Sequence, residues 1–276
     1  MHTRRVTHDE PTRLSGLRVS ETALLLDVDG TIAPIVGDAA DASVPVEVKR
    51  TLVEMGRGFG LLGCVSGRTA EDAKRVVGVA AITYIGCHGS EVLMPGMVEA
   101  DVDPQLDLWA DPVNELAIEA MRELSPIGVR REEKGAIAAL HWRGASDEYS
   151  AREGLSRIAD EAIRRGLAIH WGRKVLELRT PVPFDKGRAI ESLISGRINR
   201  GQVLTTVIYA GDDSTDLDAF AAIDRMLAAG MIERGVKVAV VSDEGPPALA
   251  ESADLRVDGP EGMAELLESL LLEPGD

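Results

Sequence analysis

Short apolar runs that alternate with helical patterns limit the possible folds of this chain more than any other feature. Residues 22–28 (TALLLDV) form such a run and lead into Asp29-Gly30, which predicts a buried strand followed by a turn. Strands that alternate with helices imply βαβ units and a mostly parallel sheet. We therefore predict an α/β fold with a Rossmann-like core. Further strands are predicted at 58–65, 82–85, 91–94, 205–209 and 236–241, and helices at 45–55, 70–77, 186–195, 217–227 and 262–272.

The middle of the chain departs from this alternation. Helical patterns and strand-like runs follow one another there without βαβ order, which predicts an α+β module of two helices and about four strands. The helical patterns cover residues 105–124 and 146–166, and the strand-like runs cover 135–142 and 167–178. The predicted division is an N-terminal arm (1–20), a core domain (21–101 and 183–276) and an inserted domain (102–182).

The charge balance limits the partners. The chain has 46 acidic and 30 basic side chains and a formal net charge of −16, whereas proteins that bind nucleic acid or anionic membranes present a positive surface. No apolar run reaches the roughly 18 residues of a transmembrane helix, and residues 1–20 lack the apolar stretch of a signal peptide. The two cysteines have neither disulfide-framework nor zinc-site spacing. We predict a soluble, cytoplasmic, monomeric protein that binds neither nucleic acid nor membranes.

Two acidic residues, Asp27 and Asp29, stand at the end of the first predicted strand in the sequence DVDGT. The carboxyl ends of parallel strands are where α/β proteins bind ligands, and Gly30 lets the backbone turn close to a bound group. A match this short is also typical of an ordinary acidic turn. The other strand ends therefore decide between a site and a turn.

Three further segments carry polar residues at such positions. Ser66-Gly67-Arg68 precedes a predicted helix, where a hydroxyl and backbone N–H groups can bind an anion, although Ser66 can also be a simple helix cap. Lys186 opens another helix and by itself is better explained as a surface lysine. Residues 211–216 (GDDSTD) carry three carboxylates on one loop. Because carboxylates this close repel one another, they indicate a bound cation.

In chain order, DxDGT, SGR, the lysine and GDDxxD resemble the four motifs of the haloacid dehalogenase superfamily of phosphohydrolases. The resemblance implies that Asp27 is the nucleophile, which attacks phosphorus to form an aspartyl-phosphate. It implies that Asp29 is the general acid and then the general base. Ser66 and Lys186 are expected to hold the phosphoryl oxygens.

The same resemblance implies a Mg²⁺ ion, a hard cation that prefers oxygen ligands. Its expected ligands are the Asp27 carboxylate, the main-chain carbonyl of Asp29 and Asp212, with Asp213 nearby. Asp216 is expected to orient the lysine or its own loop.

The chain is similar to one family within that superfamily, the trehalose-6-phosphate phosphatases. Residues 84–89 (YIGCHG) match that family's YxGxHG stretch, and three segments of the inserted domain (EEK, LHWR and GRKVLELR) are similar to its cap. This resemblance implies hydrolysis of trehalose 6-phosphate beneath a cap domain, residues 102–182. The residues expected to bind the substrate are Gly67, Arg68, His88, Glu132, Lys134, Arg143, Arg173 and Glu177.

Strand alternation is compatible with this resemblance, because it predicts Arg173 and Glu177 on one face of the cap sheet, with Lys174 on the other face beside the leucines. Two residues depart from the family's pattern. Leu217 stands where the family usually has Glu, and Asp185 replaces a neutral residue before the lysine.

Three other functions fit part of these residues. A related phosphatase can act on another glycosyl or pseudo-disaccharide phosphate, since carboxylates and arginines bind many polyols. A catalytically silent sugar-phosphate sensor has no need of the second carboxylate in the Asp27/Asp29 pair. A phosphomutase must hold a bisphosphate intermediate, and nothing in the inserted domain indicates such a site.

Overall fold

The computed structural model of the protein describes residues 14–172, 174–243 and 245–272. The chain divides into two compact units. We call Met1–Asp101 with Phe184–Asp276 the core unit and Val102–Pro183 the inserted unit. Most of the predicted N-terminal arm (residues 1–13) and Arg173 lie outside the described residues.

The secondary structure alternates strands and helices at both ends of the chain. The strands are β1 Thr22–Asp27, β2 Leu61–Val65, β3 Thr83–Gly86, β4 Glu91–Leu93, β5 Asp101–Val102, β6 Arg130–Lys134, β7 Ile137–His141, β8 Ala168–Gly172, β9 Val175–Arg179, β10 Thr206–Gly211, β11 Arg234–Val241 and β12 Leu255–Asp258. The α-helices are α1 Val46–Met55, α2 Ala70–Val77, α3 Pro104–Asp107, α4 Ala110–Leu124, α5 Glu148–Arg164, α6 Lys186–Asn199, α7 Asp216–Ala228, α8 Pro247–Ser252 and α9 Gly259–Leu272.

Within the described residues, one sheet has the strand order β12-β11-β10-β1-β2-β3-β4-β5. The pairs from β12 to β3 are parallel, and β4 runs antiparallel to β3. The predicted α/β fold with a mostly parallel sheet is therefore confirmed. Because β1 lies between β10 and β2, the carboxyl ends of these three strands meet at one edge of the sheet.

Both faces of this sheet are covered by helices. Every residue of β1 is buried, because alternate side chains enter two separate hydrophobic clusters. Leu24 and Leu26 pack with residues of α1, α2 and α9. Leu25 packs on the other face with residues of α6 and α7. This arrangement holds the end of β1 rigidly inside the protein.

The inserted unit contains an antiparallel sheet with the order β6-β7-β9-β8 in its described part. Leu140, Leu176 and Leu178 on one face of this sheet pack against α4 and α5 in a separate core. The run 167–178 is a hairpin rather than a continuous strand. Lys174 lies in its turn with φ +61°. Its ammonium pairs with Glu148 at the start of α5, a helix whose residues pack with the leucines.

Several elements differ from the sequence predictions. The helical pattern at 105–124 is broken into α3 and α4. Strand β6 (RREEK) was not predicted, because its residues are all charged and give no apolar alternation. Strand β12 and helix α8 were also not predicted. Across the described ranges, none of the helices combines the length and the apolar character needed to cross a bilayer.

Candidate active site

Asp27 and Lys186 form an ion pair in the interior of the core unit. Asp27 is the last residue of β1 and Lys186 the first residue of α6, and their side chains are only 8% and 3% exposed. Lys186 Nζ donates to Asp27 Oδ1 at 2.6 Å. The side chain of Asp185 accepts a hydrogen bond from Arg188 N and caps α6, which fixes the start of the helix where the lysine stands.

Asp216 organises the groups around this pair. Its Oδ1 accepts hydrogen bonds from Lys186 Nζ at 2.7 Å and from the Tyr209 hydroxyl at 2.6 Å. Its Oδ2 accepts from the backbone N–H groups of Asp212 and Asp213, both at 2.9 Å. Asp216 thus contacts both the lysine and its own loop, as expected of it.

The buried cluster of Asp27, Asp212 and Asp216 carries three carboxylates against the single ammonium of Lys186. Burial raises the pKa of Asp27 well above its usual range; Lys186 opposes the shift, and the neighbouring carboxylates add to it. Burial likewise raises the pKa of Asp212 to about 6, with a further contribution from Asp216. Burial lowers the pKa of Lys186, but Asp27 and Asp216 outweigh it and the net shift is upward. Lys186 is therefore charged, but its single positive charge does not balance the three carboxylates of the cluster.

This cluster fits a divalent cation. One carboxylate oxygen from each of its three residues lies within 4.8 Å of the others. Both oxygens of Asp216 accept hydrogen bonds, which makes it an organiser of the cluster. Among the described residues, hydrogen bonds occupy one oxygen of Asp27, from Lys186, and one of Asp212, from the Thr31 hydroxyl at 3.2 Å. The second oxygens of Asp27 and Asp212 are therefore the better ligands for a hard cation.

The side chains of Asp213 and Asp29, the other two predicted metal ligands, have partners outside the cluster. Asp213 is exposed, and its Oδ1 accepts hydrogen bonds from the N–H and hydroxyl of Ser214. The carboxylate of Asp29 pairs with Arg68, and its main-chain carbonyl, the expected ligand, takes no part in that pair. Gly30 lies at φ +89°, and a Cβ there would overlap the carboxylate of Asp212. The DG turn must therefore contain glycine.

Ser66 follows β2 and is 1% exposed. Its N–H donates to Ile85 O at 2.9 Å, and its Oγ accepts from Arg68 N at 3.1 Å. Because the oxygen already accepts one bond, the hydroxyl suits donation to a phosphoryl oxygen. A side chain at Gly67 would meet the imidazole of His88 at 2.7 Å. His88 therefore packs directly on the backbone of this loop.

A strained turn supports the same loop. Cys87 and His88 have φ values of +47° and +56°, which are uncommon for residues other than glycine. Cys87 N donates to Arg68 O at 2.7 Å and His88 N to Ser66 O at 3.0 Å. Buried Glu91 accepts from Ala70 N at the start of α2 and from the Cys87 thiol. The strain is thus offset by bonds that fix the SGR loop.

The sheet of the inserted unit has one polar face. Glu132 of β6 and Glu177 of β9 both lie opposite Ala139 of β7, so the two carboxylates share a face. Glu132 accepts from His141 at 3.0 Å and pairs with Lys134 at 3.2 Å. The His141 bond, with a smaller contribution from Lys134, lowers the pKa of Glu132 to about 2.

The other predicted sugar ligands are less closely grouped. Arg143 is an exposed residue after β7, and Arg173 lies outside the described residues. Glu177 pairs with Arg179 two residues along the same strand. His141 was predicted to lie in the cap core or at the rim of its cleft, whereas Arg179, Thr31 and Tyr209 had no predicted role in the site. Of these, only Arg179 had a usable signal, because i and i+2 on a strand share a face.

The ends of the three adjacent strands β1, β2 and β10 carry Asp27, Ser66 and Asp212, with Lys186 beside them. A helix-covered, mostly parallel sheet with these residues at its carboxyl edge is the α/β architecture that the resemblance to the haloacid dehalogenase superfamily implied.

The family model described as trehalose-phosphatase matches residues 25–261, so the chain belongs to that family. It is 34% identical over 272 residues to the trehalose-phosphate phosphatase of Mycobacterium avium (strain 104) and 33% identical over 270 residues to that of Mycolicibacterium paratuberculosis (strain ATCC BAA-968 / K-10). Each match covers 95% of this chain but 65% of the relative, less than two thirds of its length.

The solved C-terminal domain of Candida albicans trehalose-6-phosphate phosphatase is similar in structure, with a TM-score of 0.74 at 19% identity. The match covers 96% of this chain and 98% of that one. The two proteins therefore share a fold.

Proposed function

We propose that this chain hydrolyses trehalose 6-phosphate to trehalose and phosphate, the activity named for its mycobacterial relatives. The observation that carries the proposal is the buried Asp27–Lys186 pair at the carboxyl edge of the sheet. Lys186 holds the Asp27 carboxylate in place, and a cation bound in the cluster would balance the excess negative charge there. Such a carboxylate is suited to attack a phosphate monoester, whose oxygens need positive partners.

In the first step, Asp27 attacks phosphorus and the bond from phosphorus to the sugar oxygen breaks. Asp29 gives a proton to that oxygen, so trehalose leaves as a neutral alcohol and an aspartyl-phosphate remains. Lys186 and the Ser66 hydroxyl bind the phosphoryl oxygens during the transfer. Asp216 and Tyr209 keep the lysine in position through the bonds to Asp216 Oδ1.

In the second step, water attacks the phosphorus of the aspartyl-phosphate. Asp29, now ionised, accepts the proton of that water, and the bond from phosphorus to Asp27 breaks. Phosphate leaves and the Asp27 carboxylate is regenerated. Asp29 regains through this step the proton that it gave up in the first.

Mg²⁺ is the cation that we propose for the acidic cluster. Asp27, Asp212 and the main-chain carbonyl of Asp29 would hold it, with Asp216 and Asp213 shaping the loop. When bound, it neutralises charge on the phosphate and orients it for in-line attack.

We propose that the inserted unit is the cap domain and that its polar face binds the sugar. Glu132, Lys134 and Glu177, together with Arg143 and Arg173, offer donors and acceptors that match sugar hydroxyls. The pairings of Glu132 with His141 and Glu177 with Arg179 hold these carboxylates in fixed orientations.

Phosphate release from purified protein tests the proposal. With Mg²⁺ present, trehalose 6-phosphate should have a higher kcat/KM than glucose 6-phosphate or sucrose 6-phosphate. A faster reaction with either of the other sugars contradicts the substrate. Phosphate release from none of them contradicts the activity itself.

A further inference from the structure

Arg68 was expected to bind substrate, yet its guanidinium is committed to carboxylates of the core unit. Arg68 Nε and Nη2 donate to the two oxygens of Asp29 at 2.7 and 2.8 Å. Nη1 donates to Asp72 Oδ2 at 2.7 Å and to Ala39 O at 3.0 Å. These bonds use four of the five N–H groups of the guanidinium. One N–H remains, which is too few for a two-pronged grip on phosphate.

The backbone of Arg68 is also held by hydrogen bonds at its N–H and at its carbonyl. Its N–H donates to Ser66 Oγ, and its carbonyl accepts from Cys87 N at 2.7 Å. The side chain is only 13% exposed. The planar fork is therefore held on the SGR loop, and it fixes the direction of any carboxylate that it binds in the bidentate manner.

Asp29 needs such a partner. Its side chain is 37% exposed, and an exposed carboxylate without a partner samples several rotamers. Proton transfer to a leaving oxygen requires the acid within hydrogen-bond reach of that oxygen. A carboxylate spread over several rotamers spends little time in that position.

We propose that Arg68 is a positioning residue that sets the orientation of Asp29 for proton transfer. This inference rests on the proposed function, because it assigns a helper to the general acid of that reaction. Asp72 completes the arrangement by holding the other edge of the guanidinium. Arg68 thereby couples the nucleophile loop after β1 to the first turn of α2.

The proposal predicts an effect that depends on the leaving group. A sugar alkoxide is a poor leaving group and needs a proton from Asp29, whereas p-nitrophenolate leaves without one. Loss of Arg68 should therefore slow the first step for a sugar phosphate and leave it nearly unchanged for p-nitrophenyl phosphate. A residue that binds the phosphate would affect both substrates equally.

Single-turnover kinetics with enzyme in excess test this prediction, because release of trehalose or of p-nitrophenolate reports the first step alone. Arg68→Gln should slow trehalose release by about tenfold or more, part of the 10²–10⁴ typical of general acid catalysis. Arg68→Lys keeps the charge without the fork and should also be slow. Guanidinium ion added to Arg68→Ala should restore part of the rate.

Arg75→Gln is the matched control, because Arg75 also pairs with Asp72 but is 53% exposed and makes no bond to Asp29 among the described contacts. This variant should behave as wild type. In an Asp29→Ala background, Arg68→Gln should cause no additional loss on the sugar phosphate. Thermal unfolding shows which variants are folded. If Arg68→Gln does not fold, the comparison of the two substrates is made with Arg68→Lys.

Equal losses on both substrates, with a higher KM, would assign Arg68 to the phosphate and overturn the proposal. Unchanged rates in folded Arg68→Gln and Arg68→Lys would overturn it as well. Phosphate release by the wild-type protein distinguishes failure of the Arg68 proposal from failure of the proposed function. If wild type uses another sugar phosphate in place of trehalose 6-phosphate, the substrate is wrong and the Arg68 comparison is made with that sugar; if it uses no phosphomonoester, both proposals fall.

Discussion

The Tyr209 hydroxyl donates to Asp216 Oδ1 at 2.6 Å, the same oxygen that accepts from Lys186 Nζ. The side chains of Tyr209 and Asp216 are fully buried. Burial raises the pKa of Tyr209 well above its usual range. The phenol is therefore a hydrogen-bond donor at neutral pH. It holds the carboxylate that in turn holds the lysine beside Asp27.

Tyr209→Phe removes only this donor. We expect a loss of about 1.5–3 kcal/mol in the free energy of unfolding, the range for a hydrogen bond to a charged group. We also expect a several-fold lower kcat with little change in KM, since Lys186 loses part of its support. Urea unfolding and steady-state kinetics measure the two effects. Tyr149→Phe, at a residue that is 73% exposed, should change neither.

Asp27→Asn should abolish nearly all turnover. An amide keeps the shape of the carboxylate but is a poor nucleophile, so no aspartyl-phosphate can form. The expected fall in kcat is about 10³-fold or more. Phosphate release and mass spectrometry of the trapped phosphoprotein measure it. A folded variant that retains activity would exclude Asp27 as the nucleophile.

Mg²⁺ affinity should fall as the pH is lowered through 6. Burial raises the pKa of Asp212 to about 6 from 3.8 in the metal-free protein, and a protonated carboxyl group competes with the cation. Above this pH the ionised ligand is available, whereas below it each cation must displace a proton. We expect at least about tenfold weaker binding at pH 5 than at pH 7, because the raised pKa of Asp27 adds to the proton competition at Asp212.

Titration calorimetry of the metal-free protein measures this affinity without any turnover. Glu47→Gln is a suitable control, since Glu47 is an exposed residue of α1; Mg²⁺ binding by this variant should keep the wild-type pH dependence. Equal affinity at pH 5 and pH 7 in the wild type would contradict the role of Asp212 as a ligand.

Glu177→Gln should impair the reaction with trehalose 6-phosphate more than that with p-nitrophenyl phosphate, because only the disaccharide has hydroxyls for the polar face of the inserted unit. We expect a rise in KM of about tenfold for the sugar phosphate, the cost of one charge-assisted hydrogen bond. Glu133→Gln is the control, since Glu133 and Glu132 are neighbours on β6 and point to opposite faces. Equal effects of Glu177→Gln on both substrates would remove Glu177 from the sugar site.

Much of the site could be predicted because its signals are local. Asp27, Ser66 and Asp212 each follow an apolar run that forms a buried strand, and strand ends in a parallel sheet share one edge. The parallel order itself followed from the alternation of strands and helices. These inferences needed only residues that are close together in the chain.

The remaining features depend on contacts between distant residues or on segments with weak patterns. The pairing of Arg68 with Asp29 spans 39 positions, and no spacing rule connects an SGR arginine to a particular carboxylate. Strand β6 has no apolar residue; it lies at the edge of the sheet, where three of its five residues are exposed and the other two, Arg131 and Lys134, form ion pairs. Leu217 packs against the core, so its replacement of the usual Glu places an apolar side chain, rather than a further negative charge, beside the acidic loop.

Gly30 and Asp212 meet although they are far apart in the chain, and this separation affects how the protein folds during synthesis. Thr31 and Asp212 are 181 positions apart, and Asp27 and Lys186 are 159 apart. On the ribosome, β1 emerges long before β10, its partner on one side, and before the lysine that balances Asp27. Pairings between such distant segments form late, because the loop between them must first be ordered. Synthesis of the last third of the chain therefore completes the acidic cluster, and a prematurely ended chain would expose the edge of β1 to aggregation.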